Sequence, residues 1–442
     1  MLDYKFYIFL MVFLFSCIIL IYKRIKLNRN QIDVLDPCIL FIIIYSMYSL
    51  ASALRALKYG HDDIGVITDS ILNEYYLSIL IGLWGFGIGS LTKTKNVIFS
   101  NNIYSNKNYI KVFFVVATIA IILLFPFYYS KFNLISIPSY KETMFSSRLE
   151  FSESTTSGLK EVLLTNLPIS LLFTICTIKF FKTNKLVPKF LYLVPFIIFV
   201  IVNTLSGWRG LVISSFIPPI LYYHYQVRKL NPYKILFFGI VAYVFMPLLS
   251  IMRSSSNPEL MVEILTDHFE IIGWNFLSLE NNSELITGLN LMTLIRGFEI
   301  GQTSFTYGLS IITDLFSFIP RFIFPTRPDN LPVTFVKLFY PQVHASGGGY
   351  GFFIIQEGYW AFGKIGVFLY MFIYGILIKT IYSSMLKNPL PMIIIIYSYI
   401  FTYLVIYSTR SGIITSFKAT FLALVPFIII AIITQLLISR KN

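Results

Sequence analysis

An all-α, polytopic helical bundle that crosses a membrane about eleven times is the fold class this sequence predicts, on three observations. Hydrophobic side chains make up 56% of the 442 residues and charged ones only 13%, too few polar groups for an ordinary water-facing surface. Windows of about 20 mostly apolar residues, enough to cross a hydrocarbon core about 30 Å thick, recur along the chain. Basic residues collect in alternate connections, as membrane topology requires.

The spans fall near residues 6–22, 37–57, 75–91, 110–129, 159–178, 190–205, 211–225, 235–251, 361–380, 390–408 and 412–438. The first lacks a basic leader and a small-residue cleavage site, so it reads as a retained helix. The sixth and seventh are short and separated by Ser206-Gly207-Trp208-Arg209-Gly210, which reads as a tight helical hairpin. The organisation is then an amino-terminal bundle (1–251), one large loop (252–360) and a carboxyl-terminal group of spans (361–442), with no fixed-period repeat. Cys17, Cys38 and Cys176 all fall in spans, where they act as small apolar residues, and no disulfide or metal framework is expected.

Charge orients the bundle. If the first helix runs outside to inside, the inner connections hold 19 of the 35 basic residues, from Lys23 to Lys441, but only Asp33 and Asp36 of the 21 acidic ones. The amino terminus and the long loop are therefore placed outside, the carboxyl terminus inside. The net charge of +14 is then cytoplasmic loop charge facing anionic lipid and no sign of nucleic-acid binding.

The long loop carries the unusual chemistry. Glu259, Glu263 and Asp267 recur every four residues and line one face of a helix, most simply a solvated face. Residues 285–319, around Arg296, Glu299 and Asp314, read as amphipathic helices lying in the interface. Pro320, Pro325, Pro328 and Pro332 forbid a regular helix and predict a stiff, extended strap presenting Arg321 and Arg327. The planar guanidinium pairs bidentately with phosphate, and a preorganised backbone has little freedom to lose; the plain alternative is arginines reaching for lipid phosphates.

After the strap, His344 precedes Gly347-Gly348-Gly349-Tyr350-Gly351, whose small residues allow close backbone approach to a ligand. Glu357 stands at the mouth of the ninth span, where a carboxylate is costly unless it is paired or transfers protons. Its alternative role is an ion pair with Arg321, Arg327 or Lys364; that of His344 is ordinary surface. Arg209, Arg253 and Arg410 recur at helix mouths on the same side, with Lys418 two turns inside the last span, and together they call for an anionic partner. Each alone could be an interfacial anchor.

The combination of Gly207-Trp208-Arg209-Gly210, Pro320-Arg321 with Pro325 and Arg327-Pro328, and Glu357-Gly358-Tyr359 followed by Phe362-Gly363-Lys364-Ile365-Gly366 resembles the Wzy-type oligosaccharide repeat-unit polymerases of O-antigen and capsule assembly. The resemblance implies a GT-C-like fold in the bacterial inner membrane and a glycosyltransferase joining undecaprenyl-diphosphate-linked oligosaccharides on the outer face. Members usually have more spans than the number counted here. Membrane lipids and a chain-length regulator protein are the partners it implies, with no cofactor. In such a reaction Glu357 or His344 would accept the proton of the attacking hydroxyl. Arg209, Arg253, Arg321, Arg327 and Arg410 would meet the charge that develops on the departing diphosphate. Tyr340, Tyr350, Tyr359 and Trp360 would stack on sugars. No Asp-X-Asp pair or metal-ligand spacing is present, which points to metal-independent chemistry. Two other classes remain open at this point. A flippase or transporter would spread its charges through the spans, and a ligase would transfer finished polymer to another acceptor.

Overall fold

The computed structural model describes residues 4–27, 33–61, 65–93, 107–132, 171–205, 209–252, 277–282, 284–319, 323–345 and 348–439. Most of the described residues in the expected spans are helical. In order, the first eight helices are α1 (Tyr4–Leu27), α2 (Pro37–Tyr59), α3 (Asp69–Leu91), α4 (Lys107–Phe132), α5 (171–182), α6 (Leu186–Leu205), α7 (Arg209–Tyr222) and α8 (Pro232–Met252). There follow α9 (Leu289–Glu299), α10 (Leu309–Phe316), α11 (Leu331–Phe339), α12 (Pro341–Ala345), α13 (Gln356–Lys387), α14 (Pro391–Phe401) and α15 (Ile413–Ser439). A π-helical turn, Thr402–Tyr407, and a last turn, Ser408–Ser411, extend α14.

Among the described residues six helices are long and apolar enough to cross a membrane: α1, α2, α3, α13, α14 with its extension, and α15. The apolar parts of α4, α6 and α8 are shorter, as at Lys111–Leu123, Leu186–Ile201 and Pro232–Phe245. Pro195, Pro218, Pro219 and Pro247 lie inside α6, α7 and α8, where each removes a backbone donor. The acidic face at Glu259–Asp267 and residues 159–170 of the fifth span lie outside the described residues.

Helix starts follow from sequence. Asp36 caps α2 by accepting from the Cys38 amide at 2.9 Å, with Pro37 in the first turn; Thr68 caps α3 and Asn330 caps α11. Gly60 closes α2 in the left-handed conformation, φ 68°.

The spine of the bundle is the pair α3 and α13. Gly85 and Gly89 on α3 and Gly375 on α13 leave no room for a side chain: a Cβ at Gly85 would stand 2.7 Å from the Phe368 carbonyl oxygen. Small residues at this spacing let the two backbones meet, which is how helices gain packing energy where lipid removes the hydrophobic drive. Around the spine, Phe41, Tyr45, Phe86, Phe353 and Tyr374 fill the interior.

The described part of the long loop departs from the interfacial reading of residues 285–319. α9 buries Asn290, Leu291, Met292, Thr293, Leu294, Ile295 and Gly297, so it packs into the bundle instead of lying on it. The strap also differs from a fully extended one. Arg327 donates its amide to the Phe324 carbonyl at 3.2 Å, a turn that Pro325 favours at its second position. Pro320, Arg321 and Phe322 lie outside the described residues.

Candidate functional site

Helix α13 is not one straight rod. Phe362 (φ −144°, ψ 23°) and Gly363 (φ 61°, ψ −144°) break it, leaving a short segment, Gln356–Ala361, ahead of the long helix. A positive φ favours glycine, and Gly363 supplies it. The carbonyls freed by the break are taken up by the neighbouring loop: Thr306 donates its amide to Trp360 at 3.1 Å and Tyr307 to Ala361 at 3.0 Å. The Phe-Gly pair of the sequence motif is therefore the hinge that sets the Glu357 segment apart from the span.

That segment is anchored on every side. Residues ahead of it run alongside the end of the α14 extension, with the Phe352 amide donating to the Arg410 carbonyl at 2.6 Å and that of Ile354 to Thr409 at 3.2 Å. Gln356 is buried and donates to the Asn290 carbonyl at 3.0 Å, while Asn290 donates to Gly351 at 2.5 Å and accepts from the Tyr340 hydroxyl at 3.2 Å. A buried polar network satisfied this fully holds its backbone in one arrangement.

Glu357 is 0% exposed. Its Oε1 accepts from the Ile414 amide, 3.2 Å away, in the first turn of α15, where the helix dipole favours negative charge. Gly412, at φ 79°, makes this possible, because a Cβ there would collide with the carboxylate. The second oxygen, Oε2, has no hydrogen-bond partner. Lys364 does not pair with Glu357: its ammonium meets Glu74 at 2.9 Å, and the Tyr359 hydroxyl donates to the same Glu74 at 3.1 Å. The salt-bridge alternative through Lys364 is thereby removed.

Arg410 forms an ion pair with Glu284 and is partly exposed. The start of α7 lies at the same level, since the Tyr407 hydroxyl donates to the Gly210 carbonyl at 2.5 Å, and this brings the backbone of Arg209 beside the end of α14. Arg327 is half-buried and donates to the Ser317 carbonyl, turning back into its own loop. Arg253, like Arg321, falls outside the described residues. His344 is half-buried in the short α12.

The four aromatic residues divide. Trp360 is buried against Phe335, with its indole nitrogen donating to Thr303 at 3.2 Å, and Tyr359 packs against Phe298 and Phe305. Tyr340 is buried too, its hydroxyl within the Asn290 network. Tyr350, 37% exposed and 4.2 Å from the Tyr340 ring, has a face to offer.

Sequence reasoning passed over one residue. Asp314, on α10, is 0% exposed; its Oδ1 accepts from the Leu331 amide at 3.1 Å and its Oδ2 has no hydrogen-bond partner. Burial pushes its carboxyl up from 3.8 to about 6, against the opposing pull of the Leu331 amide and Lys418. Asp314 also lies within electrostatic reach of Glu357. The available signal was the polar face of α10, Ser310, Asp314 and Ser317, set among Leu309, Ile312, Leu315 and Phe316.

Long apolar helices joined through glycine contacts, with a sequestered carboxylate at one end beside arginine-bearing helix termini, define a polytopic membrane protein with a built polar site. The whole chain, residues 1–442, matches the family model for O-antigen polysaccharide polymerase Wzy, and the protein belongs to that family. Membership makes it a polymerase of O-antigen repeat units, of glycosyltransferase type, whose substrates are lipid-linked oligosaccharides. No curated protein and no solved structure matches it.

Proposed function

We propose that this chain joins undecaprenyl-diphosphate-linked oligosaccharide repeat units on the outer face of the bacterial inner membrane, with Glu357 as the proton acceptor. The observation that carries the reading is the state of Glu357: fully buried, fixed through one oxygen by the Ile414 amide, and with the other oxygen unpartnered. Leaving a buried carboxylate oxygen without a partner costs about 1–3 kcal/mol, a cost that a purely structural cap does not need.

In the reaction the hydroxyl of one repeat unit attacks the anomeric carbon of the chain held on the other carrier. Its proton passes to Glu357 Oε2, the new glycosidic bond forms, and the bond to the diphosphate oxygen breaks with its electron pair. Guanidinium groups meet the charge that develops there: Arg410, which releases Glu284 in exchange for diphosphate, together with Arg209, Arg253, Arg321 and Arg327. Their attraction to a diphosphate grows as its charge grows, and so it acts on the transition state more than on the ground state. Tyr350 offers the sugar a stacking face, and His344 is the second candidate acceptor. The charge asymmetry of the connections supports the outward placement of this end.

The test is the glycan ladder made by full-length protein in its own membrane. Glu357→Gln lowers polymerisation by about 10²- to 10⁴-fold, the range of a lost general base, and single repeat units accumulate while protein abundance holds. Long chains at the normal rate from this variant would remove Glu357 from the chemistry.

A further inference from the structure

Two buried carboxyl groups, Asp314 on α10 and Glu357 on α13, lie within electrostatic reach of each other, and α10 has its polarity reversed. Ser310 and Asp314 point into the bundle and Ser317 is buried just beyond, whereas Leu309, Ile312, Leu315 and Phe316 face outward and are exposed. Outward apolar and inward polar is the arrangement a lipid surface selects, with polar groups turned toward a protein interior.

Each of the two carboxyl groups spends one oxygen on the start of a helix: Asp314 on the Leu331 amide of α11 and Glu357 on the Ile414 amide of α15. Each keeps its other oxygen unpartnered, Oδ2 and Oε2 respectively. The groups facing Asp314 are Glu357 and Tyr370 from α13 and Lys418 from α15; the Tyr370 hydroxyl is also within hydrogen-bonding reach of the Glu357 carboxyl. Helix capping and the Tyr370 contact leave Oδ2 and Oε2 without a hydrogen bond. Two carboxyl groups that interact across a dry site do not both ionise readily, and one ammonium balances one negative charge.

We propose that Asp314 is a positioning residue for proton transfer, forming with Glu357 a pair that holds one proton at rest, its single negative charge balanced by Lys418. The inference rests on the reading of Glu357 as the acceptor. As the acceptor hydroxyl attacks, its O–H bond breaks and the proton becomes the second one on the pair, while the diphosphate leaves with the electron pair of the broken C–O bond. The pair then returns one proton to water. Either carboxyl can carry the single charge, so the pair ionises more readily than a lone buried carboxyl would.

The experiment uses full-length protein in membrane vesicles, given polyprenyl-diphosphate-linked repeat units extracted from cells in which its gene is deleted. Polymer is measured from pH 5 to 9. In Asp314→Asn the maximal rate falls at least tenfold and the acidic limb of the profile moves up by about one pH unit, because a lone buried carboxyl must now ionise. Asp314→Glu restores the limb to its original position. Lys418→Gln moves the limb up as well, through loss of the balancing charge. If Asp314→Asn does not accumulate in the membrane, Lys418→Gln decides: an unmoved limb overturns the proposal. An unchanged rate and limb in Asp314→Asn, with Glu357→Gln inactive, overturns the pair and leaves Glu357 in place. Full activity of Glu357→Gln overturns the underlying reading instead.

Discussion

The two ends of the bundle handle buried charge in opposite ways. At the end where α1 leads into α2, Arg24 is 2% exposed and pairs with Asp36, 0% exposed, at 2.9 Å, while its guanidinium also donates to the Ser90 carbonyl. Nearby, Asp33 accepts from the Tyr225 hydroxyl at 3.0 Å and from that of Tyr382, and its other oxygen lies 3.0 Å from His224 Nε2. The Leu230 amide donates to His224 Nδ1, which leaves the proton of that ring on the nitrogen facing Asp33. Each oxygen of the two carboxylates at this end has a donor. At the opposite end, Asp314 and Glu357 each retain an oxygen with no partner.

The contrast extends to acidity. Burial by itself would raise Asp33, but the hydrogen bonds from His224 and Tyr382 outweigh it and hold the carboxyl below its usual range. Asp314, buried with fewer partners, is pushed up to about 6. A closed network locks helices together, and an open one keeps carboxyl groups ready to exchange protons. That difference separates a structural clamp from the proposed reaction site, although both are buried clusters of charge.

Four experiments break or sharpen this comparison. The largest effect is expected at the clamp. Arg24→Met leaves Asp36 buried without its partner, costs about 3–5 kcal/mol, and shows as a collapse of folded protein in the membrane and of its melting temperature in detergent. Survival of this variant at normal abundance would mean the clamp does not hold the bundle. Next, Arg410→Ala lowers the polymerisation rate by about 10²- to 10³-fold with little change in melting temperature, as for a lost donor to developing negative charge. Equal losses of stability and activity would place Arg410 with the clamp.

Stability against pH gives the third. The Asp314 carboxyl is raised in the folded state, so its contribution is fully present below about pH 4 and is lost as pH climbs through about 6. Asp33 is lowered, so its contribution is present above about pH 4 and is lost as pH falls through its folded value. Melting curves from pH 3 to 8 should therefore lose the pH 4–6 decline in Asp314→Asn and weaken the acid-side decline in Asp33→Asn. A matching response in the two variants would erase the distinction between the ends. The smallest effect belongs to Tyr350→Ala, where loss of one exposed stacking face raises the KM for repeat units a few-fold and leaves kcat near its starting value, read in initial-rate assays.

Part of the candidate site was legible along the chain, and the reasons are specific. Glu357 stood out because a carboxylate at the mouth of an apolar run has a known cost, whereas the break at Phe362-Gly363, inside the expected ninth span, shows only in the backbone. Asp314 did not stand out, because one acidic residue in a short amphipathic stretch looks like any solvated face. Its meaning appears only when α10 turns that face inward. Tyr359 and Trp360 looked like ready stacking surfaces beside Glu357, yet both rings are packed among phenylalanines, and proximity in sequence carried no information about that.

What the sequence determined unaided is the class of molecule. A composition of 56% hydrophobic residues and apolar runs of span length leave a chain no stable state in water, and backbone hydrogen bonding within lipid leaves helices as its answer. The prolines of residues 320–332 also showed where no regular helix can run. Tertiary structure alone decided which charges are matched and which are left open. Arg24 finds Asp36 across a helix connection, while Asp314 and Glu357 come from different helices and are both fully buried. Those pairings depend on desolvation and on distances set by packing, and neither quantity is carried by the order of residues along the chain.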